Sequence, residues 1–166
     1  MATVTLHGDP IHTSGDLPPV GAVAPDFRLI DTGLAERSLA DFRGRRKVLN
    51  IVGSLDTPVC AAQARRFDAE AAKLDNTVVL VISADLPFTQ ARIQRDGKMD
   101  DVVMLSMVRT TDFADAWGVG LTEGPLRGTC ARALVVLDAD DRVIHSQLVP
   151  EISEEPDYEP ALAVLR

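Results

Sequence analysis

The chain has 166 residues, of which 46% are hydrophobic and 25% are charged, as is typical of one globular domain. Its 17 basic and 25 acidic residues give a formal net charge of −8, which argues against a basic patch for nucleic acid or for an anionic membrane. No apolar run approaches the roughly 20 residues of a membrane-spanning helix. These counts predict a single domain over residues 1–166 that binds neither nucleic acid nor membrane.

Hydrophobic alternation predicts the elements of the first half of the chain. Thr3–Leu6 and residues 11–13 flank the turn-forming residues 7–10, which predicts a small hairpin. After a connector rich in Pro and Gly, the pattern predicts strands over 27–30 and 47–52, a helix over 58–74 and a strand over Thr77–Ser83. The last three of these elements form a βαβ unit.

The second half of the chain continues the alternation and then changes to an antiparallel pattern. Pro87 opens a predicted helix that ends near Gly97, and a strand over 102–107 and a short helix over 111–117 follow. Residues 131–137 and Val143–Leu148 flank a turn at 138–141, and a closing helix is expected over 156–165. Helices between strands, followed by a hairpin, predict a mixed α/β sheet with helices on its faces.

The two cysteines, Cys60 and Cys130, are too few for a disulfide scaffold. Neither lies in a CxxC pair or in a Cys/His cluster suited to zinc, so no metal site is expected. No Lys or Arg precedes Arg28, and the first residues lack the features of a secretory signal or an Arg-rich transit peptide. We therefore expect a cytoplasmic protein.

The segment that connects the strand at 47–52 to the next helix has the sequence GSLDTPVC, residues 53–60. Asp56 or Thr57 can cap the helix and Pro58 suits its first turn, which places Cys60 in that turn. Free amides and the positive end of the helix dipole favour a thiolate there, the nucleophilic form of cysteine. The Thr57 hydroxyl can point at the same sulfur. On position alone, however, a free cysteine is more commonly a small buried hydrophobe.

Five sequence blocks occur in a fixed order along the chain. They are LDTPVC at 55–60, NTVVL at 76–80 with ISADLPF at 82–88, GPLRG at 124–128, ARA at 131–133, and EPDYE at 155–159. Together they resemble the bacterial thiol peroxidases, a branch of the peroxiredoxins, from about Thr3 to Leu165. The resemblance implies a thioredoxin-like α/β fold, in its peroxiredoxin variant, with the hairpin at its N-terminus.

The resemblance also implies an activity and roles for three residues. The activity is thiol-dependent reduction of hydrogen peroxide or organic hydroperoxides, without metal, haem, flavin or any other cofactor. Cys60 matches the peroxidatic cysteine, which becomes a sulfenic acid, and Thr57 matches the hydroxyl that hydrogen-bonds thiolate and peroxide. Arg132 matches the arginine that stabilises the thiolate and the developing charge on oxygen, a role that suits a guanidinium with several donors. A homodimer and reduction by thioredoxin or another thiol are further implications.

Two positions depart from this family. Peroxiredoxins have a proline seven residues before the peroxidatic cysteine, where this chain has Gly53. Thiol peroxidases carry a resolving cysteine on the next helix, at the place of Gln94. These departures favour an alternative, a peroxiredoxin-like redox sensor or interaction protein that has lost turnover. Retention of Thr57, Cys60 and Arg132 together favours the enzyme.

Cys130 is the only other cysteine that could resolve an oxidised Cys60. It lies two residues before Arg132 on the predicted strand, so both side chains are expected to face the same side of the sheet. The alternative is that Cys130 is a packed core thiol. We expect the latter, with recycling of Cys60 by an external thiol through a mixed disulfide.

Overall fold

The computed structural model describes residues 1–166. The helices and strands follow in the order β1 Thr3–Leu6, β2 Asp9–His12, β3 Leu29–Asp31, β4 Glu36–Arg37, a 3₁₀ helix Leu39–Phe42, β5 Arg46–Ile51, α1 Pro58–Ala71, β6 Thr77–Ser83, α2 Pro87–Asp96, β7 Val102–Ser106, α3 Asp112–Ala116, β8 Ala133–Leu137, β9 Val143–Leu148 and α4 Tyr158–Ala163. None of these helices combines the length and the apolar character needed to cross a membrane.

Seven strands form one mixed sheet in the order β4-β3-β7-β6-β5-β8-β9. The three central strands β5, β6 and β7 run parallel, and the remaining pairs are antiparallel. All seven residues of β6 are buried, as expected for a parallel strand that is covered on both faces. The predicted βαβ unit and the predicted mixed sheet are therefore confirmed.

The two faces of the sheet belong to two separate cores, because successive side chains of a strand point to opposite faces. On β8, Ala133 and Val135 face one core, and Leu134 and Val136 face the other. Helices α1 and α4 cover the second core, to which they contribute Cys60, Ala64, Phe67, Ala161 and Leu162. Helix α3 packs on the first core, and Trp117 follows it there. Cys60 thus belongs to the layer between the sheet and α1.

Strands β1 and β2 form the predicted N-terminal hairpin, with Thr3 paired to His12 and Leu6 to Asp9. The turn needs only two residues, His7 at φ 52° and Gly8 at φ 88°, and positive φ at both central positions is the geometry of a type I′ turn. The second strand therefore begins at Asp9, two residues before the predicted start.

Several element boundaries differ from the predictions. Helix α1 ends at Ala71 rather than at residue 74, because the amides of Lys73 and Leu74 bond only three residues back, to the carbonyls of Glu70 and Ala71. Helix α4 begins at Tyr158 rather than at residue 156, because the Asp157 carboxylate caps it by accepting from Glu159 N–H. Strand β8 begins at Ala133 rather than at residue 131. The two-residue strand β4 and the 3₁₀ helix were not predicted, since neither is long enough to show a period.

Candidate active site

A cavity of about 430 Å³ lies where β5 leads into α1. It brings together the three residues for which the sequence predicts chemical roles, Thr57, Cys60 and Arg132. Its remaining lining comes from the hairpin, the segment before α1, the segment before β8 and the segment after β9: Leu6, His7, Gly53, Ser54, Pro58, Val59, Leu126, Thr129, Ile152 and Ser153. The cavity wall is mostly apolar, and His7 and Arg132 are its only basic side chains.

Cys60 lies in the first turn of α1, as predicted, because Pro58 is the first residue of the helix and Thr57 occupies the N-cap position. Its side chain is only 2% exposed and its thiol is free. The Thr57 side chain does not cap the helix; its hydroxyl donates instead to the Ser54 carbonyl at 2.8 Å. The Thr57 oxygen therefore keeps its lone pairs free to accept a hydrogen bond.

Arg132 is 3% exposed, and all its hydrogen-bond partners are neutral or are the Cys60 thiol. Nε and Nη2 donate to the Ile152 carbonyl at 3.1 and 2.8 Å. Nη1 donates to Gln63 Oε1 at 2.8 Å and to Cys60 Sγ at 3.3 Å. No carboxylate forms an ion pair with this guanidinium. The charge of this buried guanidinium is therefore not neutralised by a carboxylate, and Cys60 Sγ lies within its hydrogen-bond reach.

The segment before α1 is held by Asp85, which follows β6. Its carboxylate accepts from Ser54 Oγ at 2.7 Å and from Leu55 N–H at 2.8 Å. Ser83 Oγ donates to the same carboxylate at 2.7 Å. Because Leu55 and Ser54 lead directly into the helix, these bonds fix the position at which α1 and Cys60 begin.

The cavity wall opposite α1 is formed by the tip of the hairpin, and Glu151 fastens it. The Glu151 carboxylate accepts from Thr5 Oγ1 at 2.6 Å, His7 N–H at 2.9 Å and Ser153 Oγ at 2.7 Å. These hydrogen bonds hold the pKa of Glu151 far below its usual range, and the bond from Thr5 has the largest effect. The next residue, Ile152, supplies the carbonyl that holds Arg132, so one short segment positions both the hairpin and the guanidinium.

Cys130 does not share the side of the sheet on which Arg132 reaches Cys60, so that expectation is wrong. The regular alternation of β8 stops at Ala133, and Cys130 instead forms an isolated bridge with Gly120. Its side chain belongs to the core on the opposite face of the sheet, where the thiol donates to Met107 Sδ at 3.2 Å. Burial raises the pKa of the Cys130 thiol to about 12.

The two positions that depart from the peroxiredoxin pattern, Gly53 and Gln94, are each explained by a few local contacts. Gln94 lies on α2, where its amide donates to the carbonyls of Met99 and Val102, both at 2.9 Å. It thereby ties the end of the helix to the start of β7. A Cβ atom at Gly53 would meet the Cys130 carbonyl at 3.5 Å, an ordinary contact, so the space beside the cavity admits a side chain.

Sequence reasoning missed Gln63, Asp85 and Glu151. For Gln63 a signal was available, because three residues after Cys60 a helical side chain returns to the same face. Asp85 belongs to the ISADLPF block, but no pattern of hydrophobic residues indicates what its side chain contacts. The contact of Glu151 with the hairpin joins residues more than 140 positions apart in sequence. No group of three or more His, Cys, Asp or Glu side chains is arranged to hold a metal ion.

Comparisons with known proteins place this chain in a known family and fold. Residues 19–162 match the Redoxin family. The chain is 46% identical over 165 residues to a thiol peroxidase of Corynebacterium glutamicum, with 99% of each chain covered. Among solved structures, a peroxiredoxin-like protein from Aquifex aeolicus superposes with a TM-score of 0.93 at 34% identity, covering 99% of this chain and 96% of the other. A thiol peroxidase from Chromobacterium violaceum has the same fold, with a TM-score of 0.92 at 24% identity and coverages of 99% and 96%.

The fold is that of the peroxiredoxins, which are thioredoxin-like α/β proteins. The chain belongs to the Redoxin family. The predicted thioredoxin-like α/β fold with an N-terminal hairpin is confirmed.

Proposed function

We propose that this chain is a thiol-dependent peroxidase whose nucleophile is Cys60. The observation that carries the proposal is the contact between Arg132 Nη1 and Cys60 Sγ, 3.3 Å long, in a cavity that Thr57 also lines. The thiolate attacks the outer oxygen of hydrogen peroxide or an organic hydroperoxide, so an S–O bond forms and the O–O bond breaks. The leaving oxygen takes a proton and departs as water or an alcohol, and Cys60 is oxidised to a sulfenic acid.

Arg132 has two tasks in this proposal. Its charge has no carboxylate partner, so it favours the Cys60 thiolate before reaction. As the O–O bond breaks, charge spreads from sulfur to the leaving oxygen, and preorganised donors aimed at that charge lower the barrier. The Ile152 carbonyl fixes the guanidinium from the opposite side, so little reorganisation is required.

Thr57 is proposed to hold the peroxide. Because its hydroxyl hydrogen is committed to the Ser54 carbonyl, its oxygen can act only as an acceptor, and Thr57 lines the cavity. Those lone pairs can accept the hydrogen of the attacked peroxide oxygen. This contact would turn the O–O bond toward the sulfur, and such orientation accelerates a reaction between two bound groups.

We propose that an external thiol, thioredoxin or another reductant, recycles Cys60. The thiol attacks the sulfenic sulfur, water leaves and a mixed disulfide forms; a second thiol then releases Cys60. Two observations support this route. Gln94 stands where a resolving cysteine is expected, and Cys130 lies in the core on the other face of the sheet.

Assembly and location complete the proposal. We propose a homodimer, in line with the resemblance and with apolar side chains exposed around the start of α2, where Phe88 is 67% and Leu86 51% exposed.

We propose a cytoplasmic location because both cysteines are free thiols and the cycle needs a reducing compartment. Sedimentation of the purified protein tests the first statement, and fractionation of cells tests the second.

Multiple-turnover peroxide consumption tests the proposed function. Wild-type protein with thioredoxin or dithiothreitol is expected to consume many equivalents of peroxide, and Cys60→Ser none, with an unchanged circular dichroism spectrum. A single stoichiometric oxidation of the wild type would support the redox sensor instead. The 46% identity to a thiol peroxidase over the whole chain does not favour that alternative.

A further inference from the structure

Gly53, the second residue after β5, lines the cavity that holds Cys60. We propose that Gly53 is a specificity-determining residue, because its missing side chain leaves a recess about the size of one methyl group. This recess admits hydroperoxides that are branched at the carbon atom carrying the –OOH group, so tertiary alkyl hydroperoxides are the substrate class that it favours. The inference rests on the proposed function, because it concerns the peroxide that reacts with Cys60.

The backbone and its neighbours do not require a glycine at position 53. Six of the eleven glycines have a positive φ, which disfavours any side chain. At four others, a Cβ atom would come within 3.3 Å of a neighbouring atom: Gly15, Gly33, Gly97 and Gly120. Gly53 alone has neither feature, since its Cβ atom would meet the Cys130 carbonyl at 3.5 Å and Thr129 Oγ1 at 3.9 Å. What the missing side chain provides is space.

The recess lies near the reacting groups. Strands β5 and β8 are antiparallel neighbours, so the chain that leaves β5 at Gly53 runs beside the chain that approaches β8 at Cys130. The first chain continues to Cys60, and the second continues to Arg132, whose Nη1 lies 3.3 Å from Cys60 Sγ. The recess therefore lies between the two segments that supply the nucleophile and the guanidinium.

The proposed reaction brings the branch point of the substrate close to the sulfur. The thiolate attacks the outer oxygen in line with the O–O bond, and the alkyl carbon is attached to the second oxygen. Substituents on this carbon are therefore only a few bonds from the sulfur. A primary hydroperoxide carries one carbon chain there, whereas a tertiary one carries three carbon substituents. The recess at Gly53 accommodates one of these additional branches.

The size and the lining of the cavity also fit an alkyl group. Its volume of about 430 Å³ is far larger than hydrogen peroxide requires, since a water molecule takes up about 30 Å³ in the liquid. Leu6, Leu126 and Ile152 contribute apolar side chains to the wall. Burial of alkyl carbon atoms against such a wall is favourable. The wall thus supports the alkyl group, and the recess determines which shape fits at the branch point.

Two isomeric substrates test the proposal on the full chain. tert-Butyl hydroperoxide and n-butyl hydroperoxide have the same composition and differ only in branching. Gly53→Ala fills the recess with a methyl group, so the ratio of the second-order rates of Cys60 oxidation, tertiary over primary, should fall roughly tenfold. An unchanged ratio would overturn the proposal, whether the two rates stay the same or fall together.

A second test does not depend on peroxide chemistry. Cumyl alcohol and hydrocinnamyl alcohol are isomers, the first tertiary and the second primary, and both should slow the alkylation of Cys60 by iodoacetamide by occupying the cavity. Gly53→Ala should weaken protection by the tertiary alcohol relative to the primary one. The same relative protection in both proteins, or no protection of the wild type, would overturn the proposal. A loss of relative protection would support the recess even if the wild type proved not to be a peroxidase.

Gly97→Ala is the matched control, because it adds the same methyl group at the end of α2, outside the cavity. Its Cβ atom would meet the Ile93 carbonyl at 3.0 Å, so this variant should unfold at a lower temperature. Gly53→Ala should be at least as stable as the wild type, because alanine restricts the unfolded chain. A fall in the isomer ratio for Gly97→Ala as large as that for Gly53→Ala would show a general response to glycine replacement and would overturn the proposal.

Discussion

Arg132 Nη1 lies 3.3 Å from Cys60 Sγ, although 72 residues separate the two in sequence. The register of the sheet explains the contact. Ile51, the last residue of β5, pairs with Ala133, the first residue of β8. The chain that leaves β5 toward α1 and the chain that enters β8 therefore meet at the same end of the sheet. Each brings one residue to a common cavity.

Thr57→Val and Arg132→Met should slow the oxidation of Cys60 steeply. Arg132→Met removes a preorganised donor to a developing oxyanion, which costs about 3 kcal/mol, or roughly a hundredfold in rate or more. Thr57→Val removes the acceptor that is proposed to orient the peroxide toward the sulfur. Thr57→Ser keeps the hydroxyl and should stay near the wild-type rate. Rapid mixing with peroxide followed by intact-mass analysis gives each rate, and values within a few-fold of the wild type for Thr57→Val or Arg132→Met would reject the assigned role.

Gly53→Pro should slow the alkylation of Cys60 by a bulky maleimide. Glycine leaves the backbone before α1 free and offers no side chain to shield the sulfur, whereas proline restricts the backbone and adds a ring. A Cβ atom fits there, with the Cys130 carbonyl 3.5 Å away. Gly53→Ala is the matched control, since it adds the Cβ atom without the ring. An unchanged or faster reaction of Gly53→Pro would contradict the expectation.

Glu151→Gln should destabilise the protein at neutral pH but much less in acid. The folded pKa of Glu151 is depressed, chiefly by the hydrogen bond from Thr5. The ionised Glu151 carboxylate therefore stabilises the folded state fully above the ordinary glutamate pKa of about 4.3. This stabilisation is lost as the pH falls through the lower pKa that Glu151 has in the folded protein. The difference between the thermal unfolding midpoints should be clear at pH 7 and should narrow progressively as the pH falls below about 4.

Glu154→Gln serves as the control for this pH dependence. Glu154 lies on the same segment and is exposed. Its substitution should leave the unfolding midpoint unchanged at both pH values. If Glu151→Gln showed the same midpoint difference at pH 7 and at pH 3, the ionised carboxylate would not be what fastens the hairpin.

The elements that the sequence predicts well are those with strong local signals. The buried run Thr77–Ser83 became β6 with unchanged bounds, and Pro58 marked the start of α1. The position of Cys60 followed directly from Pro58. Arg132 was reached only through the resemblance, because its contact with Cys60 depends on the pairing of β5 with β8, which no local pattern reveals.

The side-chain details could not be read from the sequence for equally specific reasons. Alternation placed Cys130 beside Arg132, but the strand begins only at Ala133, so the alternation did not extend that far. A glutamine on a helix is expected to face solvent, and Gln63 is buried because Arg132 needs an acceptor in the layer between the sheet and α1. Such partnerships are fixed by tertiary packing.

The recycling of Cys60 gives the last prediction. A disulfide needs Cβ atoms about 3.5–4.5 Å apart, and Cys60 and Cys130 belong to cores on opposite faces of the sheet. Burial also raises the pKa of Cys130 to about 12, so at neutral pH it is a protonated thiol and a poor nucleophile toward a sulfenic acid.

One equivalent of peroxide should therefore produce a sulfenic acid at Cys60, which an added thiol converts into a mixed disulfide visible by intact mass. Cys130→Ala should keep turnover within about twofold of the wild type, because the thiol only fills space beside Met107 and the alanine removes a single buried atom. If Cys130 instead attacked the Cys60 sulfenic acid, both the oxidation product and the turnover of Cys130→Ala would differ from these expectations. A wild-type product that is two mass units lighter, with Cys60 linked to Cys130, together with loss of turnover in Cys130→Ala, would establish Cys130 as the resolving thiol and refute recycling by an external thiol alone.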